Sequence, residues 1–129
     1  MIEYIITALE DPRNRPNKKY YARPAYKATR TLNDAEQHIT KASSLTKAET
    51  RGVVISLVDY IKQALLDGES VKIDGLGTFF LRTQSEGKNT EKEVSFRDFK
   101  NTTIGFKTDA ELRKDVARGA QFRKKPKNK

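Results

Sequence analysis

An α+β fold is predicted for this 129-residue chain by three patterns. Two consecutive stretches have helical periodicity, a strand–glycine–strand element follows them at residues 71–82, and the first thirty residues alternate like strands. The element at 71–82 reads Val-Lys-Ile-Asp-Gly-Leu-Gly-Thr-Phe-Phe-Leu-Arg, and it is the most informative of the three. The richest helix pattern leads into it and a polar two-stranded pattern leaves it.

Residues 1–30 read as a β-hairpin. Ile2, Tyr4 and Ile6 alternate with Glu3 and Thr7, a turn is expected over 11–17, and a return strand starts at Tyr20. Pro24 has no N–H for a ladder, which places the second strand at an edge or a bulge. Tyr20, Tyr21 and Tyr26 lie among Lys18, Lys19, Arg23, Lys27 and Arg30, where rings could stack on bases while cations meet phosphate. Packing on the pleated surface is the preferred reading, because tyrosines are ordinary strand formers.

A first helix is expected from Thr31, with Leu32, Ala35, Ile39 and Ala42 on one stripe and Asp34 in the first turn. His38 lies beside that stripe and reads as a helix-surface histidine, since no partner for a switch or a ligand site is visible. Ser43-Ser44 breaks the pattern. Thr46-Lys47-Ala48-Glu49 then forms a capping box, in which hydroxyl and carboxylate satisfy free helix N–H groups reciprocally. From Thr46 to Asp67, the positions Val53, Val54, Leu57, Val58, Ile61, Ala64 and Leu65 keep a 3.6-residue period, and Gly68 suits the left-handed residue past the end. That stripe is too rich for the short first helix to cover, so a sheet or a second subunit must pack on it.

After this helix Val71 and Ile73 alternate with Lys72 and Asp74, and beyond Gly75-Leu76-Gly77 the alternation resumes with Phe79 and Leu81. Two glycines in three residues permit positive φ and a close approach of backbone to a neighbour. A dinucleotide-binding loop is not indicated, because the third glycine and the following helix are missing. Thr108-Asp109-Ala110-Glu111-Leu112 reads as another capping box opening a short helix, with Leu112 and Val116 on one face.

Composition narrows the function classes. The chain has 26 Lys and Arg against 17 Asp and Glu, a net charge of +9, which favours nucleic acid, anionic membrane or acidic protein as partner. The ends hold that charge. Residues 1–30 carry +4 and 118–129 carry +6, whereas 31–81 carry −2 and 82–117 carry +1. The absence of Cys excludes disulfides and thiolate metal sites, and one His leaves no His cluster, so no cofactor or metal is expected. The longest apolar run, Val53-Val54-Ile55, is far short of a membrane span, and the N-terminus lacks a secretory signal's basic region. No nucleophile–base set or phosphate loop is recognisable, and carboxylates such as Asp59 and Asp67 alternate with polar groups on a helix surface, so catalysis is not expected. A core this small would gain from dimerisation.

The order helix, helix, strand, glycine hinge, ribbon, strand, helix over residues 31–117 resembles the bacterial HU and integration host factor family of DNA-binding proteins. Ile73-Asp74-Gly75-Leu76-Gly77-Thr78-Phe79 is similar to the family's Gly-Phe-Gly-x-Phe hinge, with Leu76 in place of the first aromatic. Ile104-Gly105-Phe106-Lys107 is similar to the end of the family's last strand. The opening through Tyr-Tyr-Ala-Arg-Pro resembles the longer HU-like proteins of Bacteroides-type bacteria.

The resemblance implies two N-terminal helices, a three-stranded antiparallel sheet with a protruding β-arm, a short closing helix and an intertwined dimer. It implies a domain at 31–117, preceded by a hairpin extension at 1–30 and followed by a basic tail at 118–129. Val54, Leu57, Val58, Ile61 and Phe79 become the expected dimer core. Arg82, Lys88, Asn89 and Lys92 fall on or near the arm, Arg97 and Lys100 are further candidates there, and Arg118, Arg123, Lys124 and Lys125 are candidates in the tail. A basic tail of this kind is as readily a solvated end as a binding element.

The implied function is low-specificity binding of double-stranded DNA by a homodimeric, nucleoid-associated, histone-like architectural protein of the bacterial cytoplasm. No small-molecule substrate and no membrane partner are implied. The sequence departs from the family pattern at the arm tip, where Glu86-Gly87-Lys88-Asn89-Thr90-Glu91 has no proline wedge, so weak or no proline-wedge bending is expected. Glu86, Glu91, Glu93 and Asp98 also dilute the arm's cations. Two other readings fit the same residues: an HU-like scaffolding module that has lost DNA bending, and an RNA-binding protein.

Overall fold

In the computed structural model, which describes residues 1–11 and 13–127, the chain divides into two units: residues 31–114, and residues 1–30 together with 115–129.

In the first unit, α1 (Leu32–Ala42) begins where predicted. The Thr31 N–H donates to the Asp34 carboxylate at 2.8 Å, which supplies a free helix end with its acceptor. The box opening α2 (Lys47–Leu66) is also closed. Glu49 N–H donates to Thr46 Oγ1 and Thr46 N–H donates to the Glu49 carboxylate, each at 3.1 Å. The helix ends at Asp67, and Gly68 takes a φ of +80°, which a side chain would resist. The two helices are locked by a pair that apolar periodicity does not reveal. Glu36 is only 3% exposed, and Arg51 Nε donates to its Oε1 at 2.6 Å. A carboxylate so buried is stable as an anion only with such a partner. His38 is exposed on α1.

Strands β3 (Val71–Ile73), β4 (Gly77–Ser85) and β5 (Phe99–Thr108) form the expected antiparallel sheet in the order β3-β4-β5. Gly75 turns the chain at φ +83°, and Leu76 N–H donates to Ile73 O at 3.0 Å. Gly77 is required for closeness: a Cβ there would lie 2.6 Å and 2.7 Å from carbons of the Phe106 ring and against the Lys107 carbonyl. Phe79 packs on Phe106 with ring centroids 4.8 Å apart. Leu65 and Val71 are the buried apolar side chains among the described residues, so the core of one copy is small.

The closing helix α3 (Ala110–Gly119) corrects one detail. Its cap is Asp109, whose Oδ2 accepts from the N–H groups of Glu111 at 3.1 Å and Leu112 at 3.2 Å. Thr108, expected in that role, is the last residue of β5 and is held opposite Gly77 in the sheet.

In the second unit, β1 (Ile2–Asp11) and β2 (Asn14–Pro24) form the predicted hairpin, with Tyr4 opposite Pro24 and Glu10 opposite Lys18. The ladder is longer than expected. β2 starts at Asn14 rather than Tyr20, because an edge strand needs backbone partners on one side only; Pro12 of the expected turn lies outside the described residues. Part of the basic tail is a strand. Phe122–Lys124 form β6, parallel to β1, with Ile2 opposite Phe122 and Tyr4 opposite Lys124. Ile2 N–H donates to Gln121 O at 2.7 Å and Lys125 N–H to Tyr4 O at 2.9 Å, so β1's second edge finds its backbone partners in the tail. The sheet order is β2-β1-β6.

Candidate nucleic-acid interface

The β4–β5 ribbon carries most of the candidate residues. Its register runs from Gly77 opposite Thr108 to Ser85 opposite Phe99, with a bulge where Arg82 pairs with Thr103 but Gln84 with Lys100. The extra residue lies on β5. Asn101 absorbs it at φ 55° and donates from Nδ2 to Gln84 Oε1 at 2.7 Å, while Thr83 Oγ1 lies 3.2 Å from both Lys100 O and Thr102 Oγ1. Bulges of this kind bend a ribbon and increase its twist.

Beyond Ser85 the ladder stops, and residues 86–98 fold as a cap rather than continuing as a long two-stranded arm. Two 3-10 turns, Glu91–Glu93 and Phe96–Asp98, shape it. Asp98 organises the cap: its Oδ2 accepts from Ser95 N–H at 2.8 Å, its carbonyl accepts from Glu86 N–H at 3.0 Å, and Lys88 Nζ lies 3.5 Å from its Oδ1. The Ser95-to-Asp98 spacing is a capping pattern that the sequence carries and that alternation alone passes over.

The nine candidate cations and the one candidate amide therefore occupy three settings. On the ribbon, Arg82 extends its stem across Gly105 without an ion-pair partner among the described residues, and Lys100 Nζ lies 3.7 Å from Glu86 Oε1. In the cap, Lys88 is held by Asp98 and, at 3.8 Å, by Glu86. Asn89 is exposed, Lys92 stands between Glu91 and Glu93, and the Arg97 guanidinium lies 5.7 Å from the Phe96 ring centre. In the other unit, Arg118 lies 3.9 Å from Asp115 and Arg123 2.9 Å from Glu3, while Lys124 at the end of β6 and Lys125 just beyond it are exposed. Phe96, 78% exposed at the cap, was not among the candidates.

Val58, Ile61 and Phe79 of the expected dimer core share one open groove, which Val54 and Leu57 do not line. Val58, Ile61, Leu65, Leu66, Phe79, Leu81 and Ile104 line an apolar groove of about 460 Å³ between α2 and the sheet. Val58 is 61% and Leu66 74% exposed within it; Leu57 lies partly exposed on the same helix and Val54 is half-buried. Among the described residues there is no group of His, Asp and Glu that could hold a metal ion, and no helix long and apolar enough to cross a membrane.

Charge divides unevenly between the units. Residues 31–114 carry 13 basic and 13 acidic side chains, whereas residues 1–30 with 115–129 carry 13 basic and 4 acidic, which is the whole net charge of +9.

Comparison with known proteins agrees with this architecture. The integration host factor subunit alpha of Erythrobacter litoralis is 30% identical over 93 residues, covering 70% of this chain and 93% of that protein. The same subunit of Acinetobacter baumannii is 31% identical over 88 residues, covering 67% of this chain and 90% of that protein. Among solved structures, an Anabaena HU–DNA cocrystal structure superposes with a TM-score of 0.53 at 18% identity, over 68% of this chain and 98% of that one. A putative DNA-binding protein from Bacteroides vulgatus superposes with a TM-score of 0.62 at 11% identity, over 96% of this chain and 47% of that one. The family profile described as an HU domain fused to a wHTH, Ig or glycine-rich motif matches residues 1–124. The chain thus belongs to the HU and integration host factor family of DNA-binding proteins, which are architectural rather than enzymatic, in the HU-HIG group.

Proposed function

We propose that this chain acts as a dimer that binds double-stranded DNA with low sequence specificity, as a nucleoid-associated architectural protein without a proline wedge. The observation that carries the reading is the open apolar groove of α2, β4 and β5. An uncovered face of this kind is unusual for a monomer, and a second copy would complete the core while holding two ribbons on one side. Zero net charge on residues 31–114 removes the long-range repulsion that would oppose such pairing.

Arg82 on the ribbon and Lys92 and Arg97 in the cap have no carboxylate partner within ion-pair distance among the described residues, so they are free to meet phosphate. Lys88 and Lys100 are already neutralised, which lowers the counterion release available to the ribbon. The residues at 86–91 contain no proline, and two copies of the closed cap offer little to drive a sharp kink.

The test is a salt titration of binding to several unrelated duplexes, with the solution mass measured in parallel. Uniform affinity that falls steeply with salt, a dimeric mass, and small bending in a fluorescence-distance assay are expected. Strong bending abolished by changes at 86–91 would overturn the bending assignment. The neutral charge of residues 31–114 also favours a second reading, an HU-like scaffold, and absence of duplex binding at low salt would select it. Val58→Asp is expected to shift the mass toward monomer; an unchanged mass would remove the groove as the dimer surface.

A further inference from the structure

The unit of residues 1–30 and 115–129 holds the chain's net positive charge, and the two faces of its sheet differ. Strand alternation and the β1–β2 register place Ile2, Tyr4, Ile6, Ala8, Tyr20 and Phe122 on one face. At its end this face is backed by helix: Ile2, Pro24 and Phe122 border a cavity of about 450 Å³ with Val116, Ala117 and Ala120. The opposite face presents Lys19, Tyr21 and Arg23 in a row along β2, beside Leu9, Thr7 and Ile5 on β1.

The preferred sequence reading of these tyrosines as packed strand residues does not hold. Tyr21 is 46% and Tyr20 72% exposed, and Ile5 and Leu9 beside Tyr21 are also exposed. Lys19 and Arg23 have no ion-pair partner among the described residues, and Glu3 on the same face is neutralised by Arg123 at 2.9 Å. The row Lys-Tyr-Arg has alternate residues about 7 Å apart, the spacing of side chains on one face of a strand.

We propose that this face, centred on Tyr21 between Lys19 and Arg23, binds single-stranded nucleic acid. The chemistry of the surface selects that ligand. Two unpaired cations call for a polyanion, while a flat aromatic and aliphatic plane between them calls for unstacked bases. A duplex offers phosphates to such a sheet but keeps its bases stacked within it, so Tyr21, Ile5 and Leu9 would gain nothing. An acidic peptide would pair with the cations but leave the ring without a stacking partner. This surface shares no residue with the ribbon that carries the proposed duplex binding, so either assignment can fail without the other.

The experiment measures fluorescence anisotropy of labelled oligothymidine and oligouridine with the full-length protein, and of a labelled duplex in parallel. Tyr21→Ala is expected to weaken single-strand binding by about 5- to 150-fold, the range that loss of one base–aromatic stack produces. Tyr21→Phe keeps the ring and should restore it. Tyr20→Ala, on the same strand but the opposite face, should leave binding unchanged and so reports on any unfolding of the hairpin. Replacing Lys19 and Arg23 with glutamine should flatten the single-strand salt slope by about 1.4, since each released phosphate contributes about 0.7.

Binding of either oligonucleotide with this pattern supports the proposal, and the two probes show which sugar is preferred. It is overturned if neither oligonucleotide binds, if Tyr20→Ala and Tyr21→Ala weaken binding alike, or if Tyr21→Ala weakens duplex binding equally. A Tyr21→Ala variant that changes the oligomeric mass of the protein alone would instead make this face a contact between copies, and would also overturn it.

Discussion

Glu86 restrains the ribbon's cations, and its replacement by glutamine is expected to tighten duplex binding. Its carboxylate lies 3.7 Å from Lys100 Nζ and 3.8 Å from Lys88 Nζ. Lys88 keeps Asp98 at 3.5 Å after the change, whereas Lys100 has no other carboxylate within ion-pair distance, so one cation is released. The pairs lost are exposed and contribute about 0–1 kcal/mol to the fold, so the variant should stay folded. Each phosphate newly neutralised steepens the dependence of log affinity on log salt by about 0.9. Because the pairs lost are worth at most about 1 kcal/mol, the variant's advantage is at most about 5-fold at low salt and smaller at about 200 mM. Anisotropy with a labelled duplex at several salt concentrations reads both numbers. Adding Lys100→Gln to Glu86→Gln should return the slope to that of Lys100→Gln alone. An unchanged slope in Glu86→Gln would refute the idea that this ion pair withholds Lys100 from DNA.

Three further outcomes concern the fold. Arg51→Ala leaves the buried Glu36 carboxylate without its 2.6 Å donor and should cost about 2 kcal/mol, a fall in Tm of roughly 10 °C, with Glu36→Gln in the same background recovering part of it by calorimetry. Asn101→Val forces a β-branched side chain to the φ of 55° and should destabilise by about 1–2 kcal/mol in urea, whereas Asn101→Gly should stay within about 0.5 kcal/mol. Gly77→Ala drives a methyl group into the Phe106 ring and the Lys107 carbonyl, and should cost about 1–3 kcal/mol in urea melts; a neutral result would show that the hinge can relax away from β5.

The sequence made the helices legible because their signals are local. Thr46 and Glu49 sit three residues apart and cap α2 in the structure as their spacing implies, and Gly68 follows as its end. The glycine hinge was legible for the same reason. What escaped was non-local or polar: the Glu36 and Arg51 pair joins positions fifteen apart and interrupts an apolar stripe with a charge. The pairing of Phe122–Lys124 with β1 joins opposite ends of the chain and leaves no periodic mark in three residues. The cap at 86–98 escaped because its organiser, Asp98, reads as one more diluting carboxylate until Ser95 and Lys88 are seen to converge on it. For the candidate surface, charge along the chain located the basic ends, but which cations are paired depends on geometry alone.

The parallel pairing of β6 with β1 also fixes an order of assembly. Glu3 and Arg123, which meet across that ladder, are 120 positions apart, whereas the β1–β2 hairpin and the helices of residues 31–114 close over short separations. Short loops close first and long ones late, because closure entropy grows with the chain between the partners. During synthesis the hairpin and the central unit can therefore form while β1 still has an open edge, and β6 arrives only after the whole central unit has been made. Through that interval the open edge is a template for another chain, and the late, basic β6 is the element that ends the exposure.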